Sequence, residues 1–158
     1  MEPQKTKRIS LPSDFTSSMS QLAGERIIEF ILERTAKSIA IDGSHFPNYS
    51  TSYAESKDFK NAGKSKSHPD LHLTGEMLAE LSVLQAGQGY VTIGFQAGTP
   101  ANDKAVWAER SDNGPARMFL GITDANLAPI VDSVRVDALP SNKQVQSLAQ
   151  SILRGLFR

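Results

Sequence analysis

The densest group of metal-ligand residue types in the sequence is His68-Pro69-Asp70-Leu71-His72. If this segment is extended, Asp70 and His72 lie on one face, because side chains alternate along a strand, and His68 can join them. Three protein ligands with an open fourth position are typical of a catalytic metal centre. However, no second cluster completes the set, and His45 is distant in the sequence. A small metal-dependent hydrolase that uses His68, Asp70 and His72 therefore stays an alternative.

Other patterns that carry chemistry are weaker. Glu76 and Glu80 are four residues apart, which puts both carboxylates on one helical face, but this spacing is equally typical of a solvated face. No Gly-x-Ser-x-Gly nucleophile elbow is present. Gly87-Gln88-Gly89 lacks a third glycine and precedes a strand, whereas the dinucleotide-binding fingerprint follows a strand and opens a helix. We therefore expect no catalytic residue, no bound cofactor and no bound metal, and we predict that the protein is not an enzyme.

A lysine-rich segment is the more informative feature. Within one ten-residue stretch lie four lysines: Lys57, Lys60, Lys64 and Lys66. The only large apolar residue among them is Phe59, so the pattern predicts a solvated loop at about residues 57–68. The alternative is a contact with phosphates or an acidic surface, where each lysine acts as a point charge and reads no base sequence. A single aromatic residue provides no stacking platform for single strands. The four lysines are our candidates for a DNA-facing or partner-facing surface.

Composition limits the classes of protein further. The 158 residues fit one domain. There is no cysteine, which excludes disulfides, thiolate zinc sites and cysteine nucleophiles. Lys+Arg and Asp+Glu both number 17, whereas a strongly basic nucleic-acid binder shows an excess of positive charge. No apolar run reaches the roughly 18 residues of a membrane helix. We therefore expect a globular domain with no membrane partner.

The hydrophobic periodicity predicts an α+β fold. Residues 1–12 are polar and are predicted to form a flexible N-terminal arm, and residues 13–158 a single α+β domain. A helical pattern covers Ser13–Ala40, and helices are also predicted at the C-terminal end of the chain. Between them we predict a small, mostly antiparallel sheet, covered by these helices. Its strand segments are Leu71, Val83–Ala86, Val91–Phe95 and Met118–Ile122.

Two short motifs occur in a characteristic order. The first is Leu-Thr-Gly-Glu-Met-Leu at Leu73–Leu78, and the second is Arg-Met-Phe-Leu-Gly-Ile at Arg117–Ile122. A helix ending at Asp42-Gly43, a tyrosine-containing turn and the lysine-rich loop precede the first motif, and a β-hairpin separates the two. In this order, from roughly residue 22 to 139, the chain resembles the virion-morphogenesis or tail-completion proteins of tailed bacteriophages and Mu-like prophages. Phage neck proteins of long non-contractile tails share the first half of the pattern but less of the second motif.

This resemblance implies a structural subunit of the phage neck that completes or terminates the tail and joins it to the head. Such subunits form rings, expected here to be six-fold, around the channel through which genomic DNA passes. The implied partners are other copies of the chain and the neighbouring neck, connector and tail-tube proteins. The implied location is the head–tail junction of the virion, after assembly in the cytoplasm of the bacterial host.

The family has no established catalytic residues, so the resemblance transfers none to this chain. We interpret both motifs as structural: Thr74 and Gly75 start a helix, Phe119 lies in a core strand, and Gly121 allows a close approach. The four lysines are expected to face the lumen or a partner ring. A sequence-independent DNA-binding accessory protein that uses the same lysines is the main alternative.

Overall fold

The computed structural model describes residues 2–69, 71, 76–110, 115–140 and 142–156. Within this part of the chain the fold is α+β, with a three-stranded antiparallel sheet and seven helices, which confirms the predicted fold class. The strands are β1 (Thr6–Ser10), β2 (Ser82–Gly87) and β3 (Tyr90–Gly94). The helices are α1 (Ser17–Ala36), α2 (Thr51–Ala54), α3 (Lys57–Asn61), α4 (Glu76–Ala79), α5 (Pro100–Glu109), α6 (Asp124–Ala138) and α7 (Asn142–Leu156).

The central strand of the sheet is β3, with β1 on one side and β2 on the other. The predicted hairpin is confirmed, because β2 and β3 pair antiparallel across the turn at Gln88 and Gly89. Val91 and Ile93 are fully buried and lie on one face of β3. A one-residue slip would turn both side chains away from the core, so this period-2 pattern fixes the register of the strand.

The flexible arm predicted for residues 1–12 is wrong from Thr6 onward. β1 pairs along its whole length with β3, and Ile9 lies opposite Val91. Ile9 is buried, and Leu11 continues into the core directly after the strand. The other four side chains of β1 are exposed, so the segment has the composition of a solvated tail. Its order comes from backbone hydrogen bonds to a strand far along the chain.

Helix α1 packs on the sheet and closes the core. It lies within the helix predicted over Ser13–Ala40 but is four residues shorter at each end. Thr16 caps its N-terminus by accepting a hydrogen bond from a backbone N–H of the first turn. Gly24 lets the helix approach the sheet closely, since a Cβ there would lie 2.6 Å from Val91 Cγ2 and 2.8 Å from Val83 Cγ2.

The segment Arg117–Ile122, predicted as a core strand, is not a strand, and it is buried only at Phe119, Leu120 and Gly121, whereas Met118 is exposed. Phe119 is fully buried, and its ring lies edge-to-face with Phe95, with centroids 6.2 Å apart. The predicted close approach at Gly121 is confirmed, because a Cβ there would lie 2.9 Å from Ile41 Cδ1. Phe119 and Leu120 thus lie in the core as predicted, although the backbone of the segment does not extend the sheet.

The predicted strand at Leu71 is also wrong, because Leu71 has a φ of 59°, which no strand residue adopts. Thr74 and Gly75, the predicted start of the next helix, lie outside the described residues. Met77 and Leu78 follow on α4 and are both buried. The end of the first motif is therefore part of the core.

The two C-terminal helices differ in their packing. α6 packs against α1, where Arg26 donates to Ser133 Oγ at 2.7 Å and forms an ion pair with Asp137. In contrast, every side chain from Lys143 to Leu156 on α7 is exposed. The expectation that C-terminal helices cover the sheet is therefore wrong for α7, which covers no described element.

Candidate partner-binding surface

The four candidate lysines lie on a folded segment. The short helix α2 precedes the lysines, and the short helix α3 contains Lys57 and Lys60. A serine caps each of the two helices. Ser50 Oγ accepts from the backbone N–H of Tyr53 and Ser56 Oγ from that of Phe59, both at 3.2 Å. These caps satisfy backbone donors that a helix start leaves free. The first five residues of the loop predicted over about 57–68 are therefore helical.

Three aromatic side chains form the interior of this segment. The rings of Tyr49, Tyr53 and Phe59 lie with each pair of centroids 5.3 Å apart, in tilted or edge-to-face geometry. Such pairs stabilise beyond the area that they bury, and Phe59 is only 4% exposed. The lysine-rich segment thus has a small core of its own, which the sequence analysis missed. The spacing of four residues between Tyr49 and Tyr53 is the signal that points to it.

Arg117 attaches this aromatic cluster to the rest of the protein. Its guanidinium donates to the carbonyl oxygens of Pro47 at 3.2 Å and Asn48 at 3.0 Å. It also lies 4.9 Å from the ring centroid of Tyr49, a cation–π distance. Burial lowers the pKa of Arg117, while Tyr49 and Tyr53 act in the opposite direction. An arginine stays charged at any physiological pH, so these contacts of Arg117 do not depend on pH in that range.

Burial also affects the hydroxyl of Tyr53. It raises the pKa of Tyr53 above the ordinary value, the nearby Asp58 carboxylate adds to the increase, and Arg117 opposes it. Tyr53 is therefore neutral at physiological pH and packs in the cluster as an aromatic ring with a polar edge.

Further hydrogen bonds hold the end of the segment. The backbone N–H of Tyr49 donates to the carbonyl of Lys66 at 3.2 Å, and Lys66 Nζ donates to Thr51 Oγ1 at 2.7 Å. His68 Nε2 lies 2.9 Å from the carbonyl oxygen of Ala36, at the end of α1. The segment is thus attached to the body at both ends.

The four lysines differ in their environments. Lys57 and Lys60 are exposed and lie about one turn apart on α3, outside the face that buries Phe59. Lys66 is exposed but points to α2, and Lys64 is half-buried. Exposed acidic residues, among them Asp58, lie on the same segment and reduce its net charge. Lys57 and Lys60 are therefore the pair that is presented together for a contact.

The second motif is held in place by buried polar side chains instead of strand pairing. Arg34 on α1 is only 6% exposed and donates to the carbonyl oxygens of Phe119 and, at 3.0 Å, Gly121. Burial lowers the pKa of Arg34, and the Glu109 carboxylate opposes this effect. The Nε of Arg34 has no hydrogen-bond partner among the described residues. This one guanidinium thus donates to two buried carbonyl groups of the motif, of which that of Phe119 also accepts from the N–H of Gly121 at 3.1 Å.

Glu109, at the end of α5, supplies the complementary acceptor. One carboxylate oxygen accepts from the backbone N–H groups of Phe119 at 3.0 Å and Leu120 at 2.8 Å. The other forms an ion pair with Lys5, just before β1. Glu109 therefore connects the N-terminal strand region to the second motif. Side chains satisfy the N–H groups of Phe119 and Leu120 and the carbonyl of Gly121, and backbone groups of Ala108 and Ile41 pair with Arg117 and Met118. These bonds explain how part of the motif is buried without being a strand.

The predicted metal-ligand cluster receives no support from the described residues. Asp70 and His72 lie outside them, and His68 is exposed and bonded to a backbone carbonyl. No group of three or more His, Cys, Asp or Glu residues within the described ranges could hold a metal ion. Glu76, one member of the acidic pair, lies 3.7 Å from Lys104 in an exposed ion pair.

The part of the chain that the structure describes presents Lys57 and Lys60 on a folded segment, which is an arrangement suited to binding. Among the helices described there, none is both long and apolar enough to cross a membrane. Comparison of the chain with models of protein families, with curated proteins and with solved structures finds no match.

Proposed function

We propose that this protein is a structural subunit of the bacteriophage neck, a tail-completion or tail-terminator protein that joins the tail to the head. Copies of the chain form a six-fold ring around the DNA channel and contact the connector and tail-tube proteins. The support is the resemblance carried by the two motifs and the order of the elements between them. The balanced net charge and the absence of cysteine are compatible with an assembly subunit.

The observation that carries the proposal is the link between the second motif and the lysine-rich segment. Arg117 opens the second motif, and its hydrogen bonds to Pro47 and Asn48 hold the segment that presents Lys57 and Lys60. A ring subunit needs contact surfaces that are fixed relative to its core, because a mobile segment loses conformational entropy when a contact orders it. The motif region thus acts as the support of a contact surface.

In this proposal Lys57 and Lys60 face the lumen or the neighbouring ring. DNA moves through the lumen irrespective of its base sequence, so any contact with it has to be electrostatic. Lysine supplies a compact, mobile point charge and no bidentate base recognition. The exposed acidic residues of the same segment keep the attraction weak, which suits a surface past which DNA moves.

The experiment is to delete the gene from the phage or prophage that carries it, induce the host, and image the lysate by negative-stain electron microscopy. We expect DNA-filled heads and separate tails, with few joined particles. Supplying the wild-type gene from a plasmid should restore joined virions. Normal, infectious virions in the deletion lysate would refute the neck assignment.

The second candidate is a DNA-binding accessory protein, favoured by the exposure of Lys57 and Lys60 on one face. Such a protein binds duplex DNA as an isolated monomer, with an affinity that falls steeply as salt increases. The neck subunit is expected to show no such binding before assembly. Fluorescence anisotropy with a labelled duplex at several salt concentrations distinguishes the two, and Lys57→Glu/Lys60→Glu identifies the surface responsible.

A further inference from the structure

The helix α7 has an apolar face that nothing in the described chain covers. Helical spacing puts six apolar residues on this face: Val145, Leu148, Ala149, Ile152, Leu153 and Leu156. The five large side chains are between 50% and 73% exposed. Helices of about 12–15 residues are marginal in water on their own, so α7 needs a partner surface to remain stable.

A groove of matching length runs between α1 and the edge strand β2. It consists of two adjoining clefts of about 450 Å³ and 370 Å³ that share Gln21 and Val83. Along α1 it extends from Ser17 to Ile28, or about 17 Å at 1.5 Å per residue. The apolar face of α7, from Val145 to Leu156, covers the same number of helical residues. The helix and the groove therefore match in length.

The charges of the two surfaces are also complementary. The lining of the groove is mixed. Its apolar side chains are Ile28, Leu81, Val83, Leu84 and Ala86, and its uncharged polar side chains are Ser17, Ser18, Gln21, Ser82 and Gln85. Its one charged lining residue among those described is Glu25. The charged residues of α7 are Lys143 and Arg154, both basic. Docking α7 in the groove brings opposite charges together, whereas pairing two α7 helices would bring like charges together.

We propose that α7 of one copy of this chain docks in the α1–β2 groove of a second copy. Each copy then offers a helix to one neighbour and a groove to the other, which is a heterologous contact. Contacts of this kind close into rings when the rotation between neighbours permits. This inference rests on the ring assembly proposed above and names the contact that would build it.

Cysteine cross-linking tests the contact directly, because the chain contains no cysteine of its own. Gln21→Cys places a thiol in the groove, and Ala149→Cys places one on the apolar face of α7. We expect a disulfide-linked dimer when the two single variants are mixed under mild oxidation, and none from either variant alone. Self-linked Ala149→Cys, or no dimer in the mixture, would overturn the proposal.

A matched pair of substitutions on α7 tests which face is used. Leu148→Asp puts a carboxylate on the apolar face and is expected to abolish the cross-link in the Ala149→Cys background. Ser147→Asp adds the same charge on the opposite face and should leave the cross-link intact. Because α7 packs on no described element, both variants are expected to keep the fold of the body, which circular dichroism checks. Equal effects of the two variants would contradict the proposal.

A basic amphipathic helix can also bind a membrane surface. Co-sedimentation of the wild-type protein with anionic phospholipid vesicles provides this comparison. We expect the protein to remain in the supernatant. Sedimentation that Leu148→Asp abolishes, together with no cross-link in the mixture, would assign α7 to lipid and refute the docking.

The docking contact and the neck assignment can fail separately. A cross-link in the mixture together with normal virions in the deletion lysate would retain the contact and remove the neck function. Unjoined heads and tails in the deletion lysate without a cross-link would retain the neck function and remove this contact.

Discussion

At the scale of single residues, Arg34 is the side chain on which the second motif depends most. Its guanidinium donates to two buried backbone carbonyl groups, those of Phe119 and Gly121. Arg34→Met keeps the bulk of the side chain but removes the arginine donor of the buried Gly121 carbonyl and leaves the Phe119 carbonyl only the N–H of Gly121, at 3.1 Å. We expect a loss of about 2–4 kcal/mol in the free energy of unfolding, measured by urea denaturation.

Arg135→Met is the matched control for this substitution. Arg135 is half-exposed and pairs with the exposed Asp14 at 3.3 Å, and exposed pairs contribute about 1 kcal/mol or less. If Arg34→Met cost no more than Arg135→Met, the second motif would not depend on the buried guanidinium.

Tyr53 allows the aromatic cluster to be tested by pH. Its folded-state pKa is raised, chiefly by burial, so the neutral hydroxyl is favoured in the folded protein. The stabilisation is complete below the unfolded pKa of about 10 and is lost as the pH rises through the folded value. The absorbance at 295 nm follows the ionisation of tyrosine. We expect the pH titration of wild type minus that of Tyr53→Phe to have its midpoint above pH 10. A midpoint at or below 10 would mean that Tyr53 is not held in the cluster.

At the scale of elements, β1 determines whether the N-terminal segment belongs to the fold. Ile9 is its one buried side chain and is 6% exposed. We expect Ile9→Ala to lower the free energy of unfolding by about 2–4 kcal/mol, since it removes core contacts and leaves a cavity. Thr6→Ala, on an exposed position of the same strand, is the control and should change it by less than about 0.5 kcal/mol. If the segment were a flexible arm, neither substitution would change the free energy of unfolding.

The elements with strong local signals were predictable from the sequence. α1 shows a clear helical period, and β2 and β3 are β-prone runs on the two sides of a glycine-containing turn. β1 has one buried residue among five, so its amino-acid sequence shows almost no pattern that would indicate the backbone pairing with β3. Residues 117–122 look like a strand because they are apolar. Arg34, which is distant in sequence, and Glu109, at the end of the preceding helix, satisfy several of their backbone groups instead.

The candidate surface was predictable only in part, for the same reason. The four lysines are evident as a cluster in the sequence. The packing of Tyr49 and Tyr53 around Phe59, and the attachment to Arg117, depend on contacts between residues that are separated along the chain. Composition describes the charge of a segment, but only its tertiary contacts determine whether that charge is held in place.

At the scale of the whole molecule, the proposed role of the lysines predicts a phenotype in the virus. Lys57→Glu/Lys60→Glu reverses the exposed pair on α3 without touching the aromatic core. We expect the fraction of joined particles in the lysate to fall on the order of tenfold, which corresponds to about 1.4 kcal/mol lost from a contact. Infectious titre and negative-stain counts measure it.

The control is Lys7→Glu/Lys37→Glu, which changes the net charge by the same amount at exposed positions on β1 and at the end of α1. This variant should assemble like the wild type. Equal losses in both variants would mean that the net charge of the subunit matters and the position of the lysines does not.

The most direct test of the neck assignment is a cryo-electron microscopy reconstruction of the head–tail junction of the virion that carries this gene. We predict a ring of six copies of this α+β domain between the connector and the tail tube, with Lys57 and Lys60 facing the lumen or the adjacent ring. A junction without density for this fold, in virions that lack the protein by mass spectrometry, would contradict the account.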